Sequence, residues 1–247
     1  MKNKIETQHF ENGVTLFTIN RPEVRNAICS RTAIELQDAF AEFDRSEQRV
    51  AVITGAGDLS FSAGADVDDI PELWRCVPTV GITTEKPIIA AVAGWCVGGG
   101  LIITMMSDLA VAADNTKFSY PEARLGLTQG MIAGLAGRIP HKAAMEIMLL
   151  GRTVTADRAR EMGLVNDVVP TGEHVQAALK LAGDLAGMAP LVLKTLKRFV
   201  TGHVLPAGPS EDFVRIRRDL DIIAQSDDLA EGFSSFREKR TPVFKGR

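Results

Sequence analysis

Short apolar runs alternate with segments of helical periodicity through the first half of this 247-residue chain. The strand candidates are residues 14–19, 50–53, 88–92 and 109–112, which are rich in β-branched and small apolar residues. Ser30 is interpreted as the N-cap of a helix between the first two strands, because apolar residues follow it at helical spacing. Since strands that alternate with helices pack as layers around one core, the pattern predicts an α/β fold.

The second half of the chain is predominantly helical in pattern. Helices are predicted over residues 141–150, 155–162, 172–186, 190–200, 209–224 and 227–239. A stretch rich in glycine and proline, residues 202–209, breaks this series. We therefore predict an α/β core over residues 1–189 and a helical C-terminal part over residues 190–247.

Charge and composition exclude several classes of protein. The net charge of −3 offers no basic surplus for nucleic acid, so no nucleic-acid partner is expected. The three cysteines show no spacing typical of a metal site, which favours free thiols, a reducing compartment and no metal. No run approaches the roughly 20 apolar residues of a membrane span, and the first residues lack the apolar centre of a signal peptide. We expect a cytoplasmic protein without a membrane partner.

Three consecutive glycines, Gly98 to Gly100, precede the apolar run 101–106. They lack the lysine of a phosphate-binding loop, so phosphate binding is not indicated. We expect the glycines to expose their backbone N–H groups to a different ligand. A helix beginning at Gly99 or Gly100 would direct N–H groups and its positive dipole end at a developing oxyanion. The small-residue turn 61–66 could supply a second N–H, with Asp66 interpreted as the N-cap of a following helix.

Glu122 follows Pro121 at a predicted helix start. A proline and a glutamate there are favourable in any first helical turn, so the pair alone is weak evidence for catalysis. Glu122 is nevertheless the acid or base that the pattern offers to an oxyanion site.

Seven motifs in order together resemble the crotonase superfamily, the enoyl-CoA hydratase/isomerase family. They are NRPEVRNA at 20–27, FSAGAD at 61–66, KPIIAAV at 86–92, GWCVGGG at 94–100, PEARLG at 121–126, the block 151–166 and FREKR at 236–240. The resemblance runs from about residue 5 to the end of the chain. It implies a spiral of ββα units with a helical C-terminal part that forms homotrimers, often paired into homohexamers.

The resemblance also implies a site. The substrate would be an acyl-coenzyme A thioester, with coenzyme A (CoA) entering as part of the substrate and no permanently bound cofactor. Backbone N–H groups of Ala65 and Gly99 would form the oxyanion hole, and Glu122 would be the acid/base. The residues that match family positions near CoA are Val24, Arg25, Ala27, Ala63, Asp66, Val67 and, from the tail of a neighbouring subunit, Phe236 and Lys239.

The chain departs from the family's patterns at four places. Ile102 stands where hydratases carry a first catalytic glutamate. Gly130 stands where a dienoyl isomerase would carry an aspartate, which disfavours that activity. Met131 and Ile132 replace smaller residues, which indicates a narrower or more apolar acyl pocket. The link from Asp66 to residue 86, which in the family shapes the acyl pocket, is also shorter than in typical hydratases.

A single glutamate leaves several activities open. Isomerisation of 3-enoyl-CoA to 2-enoyl-CoA and single-glutamate hydration are the first hypotheses, held equal. A thioester hydrolase or decarboxylase on the same fold is the alternative, and a CoA-binding protein without catalysis is the third.

Overall fold

The computed structural model describes residues 3–247, and its strands form two sheets. The larger sheet has the order β1-β2-β3-β5-β7-β10, formed by Ile5–His9, Val14–Ile19, Val50–Gly55, Ile88–Val92, Leu109–Ala113 and Asp167–Val169. The smaller sheet has the order β4-β6-β8-β9, formed by Ser60–Ser62, Trp95–Val97, Lys117–Ser119 and Val154–Thr155. All pairings are parallel except β1 with β2 and β8 with β9.

Each successive pair of strands contributes one strand to the larger sheet and one to the smaller sheet. β3, β5 and β7 lie side by side in the larger sheet, while β4, β6 and β8 lie side by side in the smaller one. The chain therefore advances by one strand in each sheet with every pair, which is the geometry of a spiral. The predicted α/β spiral of strand pairs is confirmed.

The helices occupy the segments where the sequence showed helical periodicity. They are α1 (Ser30–Arg45), α2 (Gly99–Met106), α3 (Glu122–Leu125), α4 (His141–Leu150), α5 (Ala156–Glu161), α6 (His174–Ala186), α7 (Pro190–Phe199), α8 (Pro209–Ala224) and α9 (Asp227–Glu238). Short 3₁₀ turns cover Pro22–Val24, Leu73–Cys76 and Met131–Gly137, and a π turn covers Val200–Val204. The domain boundary predicted at residue 190 stays a prediction; it coincides with the start of α7.

The N-cap prediction for Ser30 is wrong by one residue. Cys29 occupies the cap position with extended backbone, and Ser30 is the first helical residue. The hydroxyl of Ser30 donates to Asp69 Oδ1 at 2.5 Å, and its N–H donates to Asp69 Oδ2 at 3.2 Å. A carboxylate from a distant loop therefore satisfies the helix start, which local pattern cannot reveal.

The central strands β3 and β5 of the larger sheet are buried on both faces, which explains their almost uninterrupted apolar sequences. On one face, Phe17 packs against Phe40 of α1, with ring centroids 4.4 Å apart. On the other face, Val52 and Ile89 join a second apolar cluster with Ala178 of α6. Small residues on α6 allow the helix to lie close to the sheet, and this rigid body supports the loops at the strand ends.

The last three helices leave much apolar surface uncovered. Leu191, Phe213, Ile216, Phe233 and Phe236 are each more than half exposed. So many exposed large apolar side chains on three successive helices are typical of an interaction surface. No helix within residues 3–247 combines the length and apolarity that crossing a bilayer requires.

Candidate active site

The glycine triplet forms a sharp turn between β6 and α2. Gly98 has φ 51° and ψ −111°, a conformation that side chains oppose, and α2 begins at Gly99 as predicted. Ile102 N–H donates to Gly98 O at 3.0 Å, so the first helical bond closes behind the turn. Gly99 is the first residue of α2, and its N–H has no acceptor within residues 3–247.

A second unpaired N–H lies on the neighbouring turn. Ile28 N–H donates to Gly64 O at 2.8 Å, and Asp66 N–H donates to Ile28 O at 2.8 Å. This parallel pairing turns the N–H of Ala65 to the opposite side, and no group in the described chain accepts from it.

The two turns lie against one another. A Cβ placed on Gly64 would lie 3.5 Å from Gly99 N. The turns that carry the Ala65 and Gly99 N–H groups are thus adjacent, as an oxyanion hole requires.

Glu122 directs its carboxyl group at the glycine turn. It is the first residue of the short helix α3, which ends at Gly126 in the left-handed conformation. A Cβ placed on Gly98 would overlap Glu122 Oε1, so the carboxylate occupies the space that glycine leaves empty. Glu122 Oε2 is buried and has no hydrogen-bond partner in the described chain.

Burial sets the acidity of this carboxyl group. Loss of hydration, opposed only in part by a backbone hydrogen bond, raises the pKa of Glu122 to about 7. A carboxyl group with that pKa can both take and return a proton near neutral pH.

Apolar side chains of α2 and of two 3₁₀ turns belong to one buried cluster that reaches Gly99. Leu73, Ile102, Met131 and Ile132 are all buried in the main apolar cluster, and Leu73 lies closest to Gly99. No second carboxylate takes the place that Ile102 occupies one turn into α2. The site therefore presents one ionisable acid beside an apolar wall.

Tyr120 is a polar neighbour that the sequence did not single out as a site residue. Its hydroxyl lies 3.1 Å from Thr128 Oγ1, and burial, reinforced by the nearby charge of Glu122, raises the pKa of Tyr120. The one tyrosine of the chain, two residues before Glu122, was the available signal.

The residues predicted to line CoA fall into two segments that the structure brings together. Ala63 N–H donates to Arg25 O at 2.9 Å, which joins 24–28 to 63–67. Arg21 Nη1 bridges the segments by donating to Ala27 O at 2.6 Å and to Asp66 Oδ2 at 3.0 Å. Arg25 is exposed with no side-chain partner in residues 3–247, and Val24 and Val67 are exposed beside it.

The N-cap prediction for Asp66 is wrong. The residues that follow it form turns, and the next helical segment is the 3₁₀ turn Leu73–Cys76. Asp66 Oδ1 accepts from Asp68 N–H at 3.2 Å, while Oδ2 pairs with Arg21 at 3.0 Å. The ion pair with Arg21 orients the carboxylate, so Asp66 helps to hold segments 24–28 and 63–67 together.

Asn26 is a structural residue that sequence reasoning missed. Its side chain is 1% exposed and donates to Ser60 O at 2.7 Å and to Ala56 O at 3.1 Å, and it accepts from Arg21 N–H at 3.0 Å. Its backbone has φ 56°, where asparagine is better tolerated than most residues. The sequence signal that could have identified this structural role was the presence of an asparagine within the 20–27 motif.

The structure does not bring Phe236 and Lys239 to the other predicted residues. Phe236 lies on α9 with 84% of its surface exposed, and Lys239 follows the helix with φ 52°. Neither side chain bonds to a predicted CoA residue in the described chain.

Comparison with known proteins gives consistent matches over nearly the whole chain. Residues 9–247 match the sequence model of the family described as Enoyl-CoA hydratase/isomerase. A carnitinyl-CoA dehydratase of Escherichia coli O157:H7 is 36% identical over 246 residues, covering 93% of this chain and 94% of that protein. A carnitinyl-CoA hydratase structure from Mycobacterium avium has 35% identity, full coverage of both chains and a TM-score of 0.75. An enoyl-CoA hydratase structure from Bacillus anthracis has 25% identity and a TM-score of 0.77, covering 99% of this chain and 100% of that one.

Proposed function

Since the chain belongs to the enoyl-CoA hydratase/isomerase family and is an enoyl-CoA hydratase-type enzyme, we propose that it stabilises an acyl-CoA enolate with Glu122 as its only side-chain acid/base. The observation that carries the proposal is the Glu122 carboxyl group at the Gly98 turn, whose Oε2 atom is buried and has no hydrogen-bond partner in the described chain. The proposed active site also includes two backbone N–H groups without acceptors in the described chain, those of Ala65 and Gly99.

The chemistry follows from where charge develops. A base can remove a proton from the carbon next to the thioester carbonyl, or from a carbon conjugated with that carbonyl. In both cases the electron pair moves onto the carbonyl oxygen. The Ala65 and Gly99 N–H groups donate to that oxygen, and the N-terminus of α2 adds its dipole. Loss of one such donor typically costs about 3–4 kcal/mol of transition-state stabilisation.

Isomerisation needs only one base. Glu122 takes the proton from C2 of a 3-enoyl-CoA, the electron pair forms the enolate, and the double bond moves from C3–C4 to C2–C3. The same carboxylic acid then returns the proton to C4. Ile102 favours this reaction, because no second carboxylate is available to hold a water molecule.

Hydration is the second candidate, and the similarity to carnitinyl-CoA dehydratases favours it. Here Glu122 takes a proton from water as the water oxygen adds to C3 of a 2-enoyl-CoA, and then protonates C2 of the enolate. The reverse sequence is dehydration of a 3-hydroxyacyl-CoA. The enolate and its oxyanion hole are common to both reactions.

We infer that the two segments 24–27 and 63–67 bind the CoA moiety. The free guanidinium group of Arg25 suits a phosphate, and the exposed Val24 and Val67 suit its apolar parts. The uncovered apolar faces of α7 to α9 support a homotrimer or homohexamer. In that assembly Phe236 and Lys239 would reach the CoA of a neighbouring subunit.

Turnover of 2-enoyl-CoA and 3-enoyl-CoA thioesters by wild-type protein and Glu122→Gln tests the proposal. We expect interconversion or hydration by the wild type and at least a hundred-fold loss in the variant, with Glu42→Gln on the exposed face of α1 as the control. Unchanged turnover in Glu122→Gln would remove Glu122 from its role. Release of free CoA without exchange of the α-proton would instead favour a thioester hydrolase or decarboxylase. Tight CoA binding without turnover across a broad thioester panel would favour a protein that has lost catalysis.

A further inference from the structure

The 3₁₀ turn Leu73–Cys76 forms the wall beside the oxyanion donor. A Cβ placed on Gly99 would lie 2.8 Å from Leu73 Cδ1, so this side chain fills the space next to Gly99. Leu73 is only 4% exposed. The same segment approaches the loop after Glu122, since Gln129 Nε2 lies 3.5 Å from Pro71 O. The position of this turn therefore affects both sides of the site.

Few backbone bonds hold this segment. Between residues 67 and 76, the backbone hydrogen bonds found in the described chain are local, such as Asp69 N–H to Asp66 O at 3.3 Å and Arg75 N–H to Glu72 O at 3.0 Å. An isolated 3₁₀ turn has poor hydrogen-bond geometry and little intrinsic stability. Its position must depend on packing and on side chains that join it to the rest of the molecule.

Arg75 makes two of these connections, one to Gln37 and one to Asp221. Its Nη2 donates to Glu72 Oε2 at 2.7 Å and to Asp221 Oδ2 at 2.9 Å, and its Nη1 donates to Gln37 Oε1 at 3.2 Å. The guanidinium group also lies 4.5 Å from the ring centroid of Trp74. The Arg75 and Asp221 side chains are only 18% and 21% exposed, so solvent screens this pair less than an ordinary surface pair.

Helix α8 supplies the other half of the attachment. Asp221 lies on α8, 146 residues from Arg75 in sequence. Arg217 of α8 lies 3.7 Å from Glu72 Oε1, and Arg218 Nη1 donates to Val80 O at 3.1 Å. The C-terminal half of α8 therefore contacts the 72–80 segment near its start, at Glu72 and Arg75, and at its end, at Val80.

We propose that Arg75 is a positioning residue, which through Asp221 of α8 holds Leu73 against Gly99 and so fixes the geometry of the oxyanion donor. The inference rests on the proposed function. Loss of the Arg75–Asp221 pair loosens the wall beside Gly99 without touching segments 24–27 and 63–67. The chemical step is therefore affected more than CoA binding.

The test uses Arg75→Met, which keeps the apolar stem over Trp74 but removes the charge, together with Arg75→Lys and Asp221→Asn. We expect Arg75→Met and Asp221→Asn each to lower kcat on a four-carbon enoyl-CoA by about tenfold, with KM within threefold of wild type. Arg75→Lys should recover most of the loss, and the double variant should be no worse than either single one. Arg158→Met, which breaks the exposed pair with Glu161 at 2.9 Å, is the matched control.

A second measurement distinguishes failure of this inference from failure of the proposed function. Acetoacetyl-CoA forms an enolate that absorbs in the near ultraviolet, so its absorbance on binding reports the charged oxygen in the hole. Wild type should show the enolate band, and Arg75→Met should show a reduced band at unchanged CoA affinity. If wild type shows turnover and the band but the Arg75 and Asp221 variants equal it, the inference alone is overturned. If wild type shows neither, both proposals fail. If Arg75→Met aggregates, the same readings on Asp221→Asn decide.

Discussion

Glu122 should make the folded protein less stable at neutral and alkaline pH, and Glu122→Gln should remove that penalty. Burial raises the pKa of this carboxyl group from its ordinary value of 4.5 to about 7. Well below pH 4.5 the group is protonated in both states, so no penalty exists. As pH rises towards 7, the unfolded chain loses the proton and the folded chain keeps it, so stability falls. Above pH 7 the penalty is complete.

The size of the penalty follows from the two pKa values. Their difference corresponds to about 3 kcal/mol, because one unit of pKa difference is worth about 1.4 kcal/mol. Glu122 is only partly buried, so screening by water reduces this to about 1–2 kcal/mol. For a chain of this length, that corresponds to about 2–8 °C in Tm.

Thermal unfolding of wild type and Glu122→Gln at pH 5 and pH 8, at one protein concentration, measures the effect. We expect the variant's Tm advantage to be small at pH 5 and to reach its full size at pH 8. Glu42→Gln makes the same chemical change on an exposed helical face. Its Tm should differ from that of wild type by the same small amount at both pH values. A Glu122→Gln protein that is less stable than wild type at pH 8 would refute the reasoning, because the carboxylate would then have a stabilising partner.

Three further predictions concern the Gly98 turn, the buried side chain of Asn26 and the position of Ile102. Gly98→Ala should lower kcat at least a hundred-fold, because the added Cβ overlaps the Glu122 carboxyl group. The control is Gly57→Ala, which also lies at positive φ but has open space around it. It should change the stability of the protein and leave kcat unchanged. Asn26→Ala should lower the free energy of unfolding by about 2–4 kcal/mol in urea titrations, since it leaves buried backbone groups unpaired. Ile102→Glu should raise the ratio of hydration to isomerisation measured on 2-enoyl-CoA and 3-enoyl-CoA, and an unchanged ratio would show that a second carboxylate at this position does not direct the chemistry.

Most of the fold could be predicted because its signals are local. The strand Ile88–Val92 lies within the predicted bounds, since a sheet buried on both faces produces continuous apolar runs. Helices His141–Leu150 and Pro209–Ala224 also match, and both follow a proline or begin with one. The turn at Gly98 and the helix start at Gly99 were predictable because only glycine suits that backbone.

The remainder depends on contacts between distant residues. Ser30 and Asp66 both have N-cap chemistry, yet Asp69 and Arg21 are their partners, and these lie 39 and 45 residues away. The Arg75–Asp221 pair joins residues 146 positions apart, and neither lies in a recognisable motif. Spacing along the chain carries no information about such pairs.

Exchange of the α-proton of a saturated acyl-CoA in D₂O tests the central claim most directly, because it needs only the base and the oxyanion hole. Butyryl-CoA followed by mass spectrometry should gain deuterium with wild type. Glu122→Gln should reduce the exchange rate at least a hundred-fold while CoA affinity stays within threefold. Exchange that persists at the wild-type rate in Glu122→Gln would contradict the assignment of Glu122 as the only side-chain acid/base.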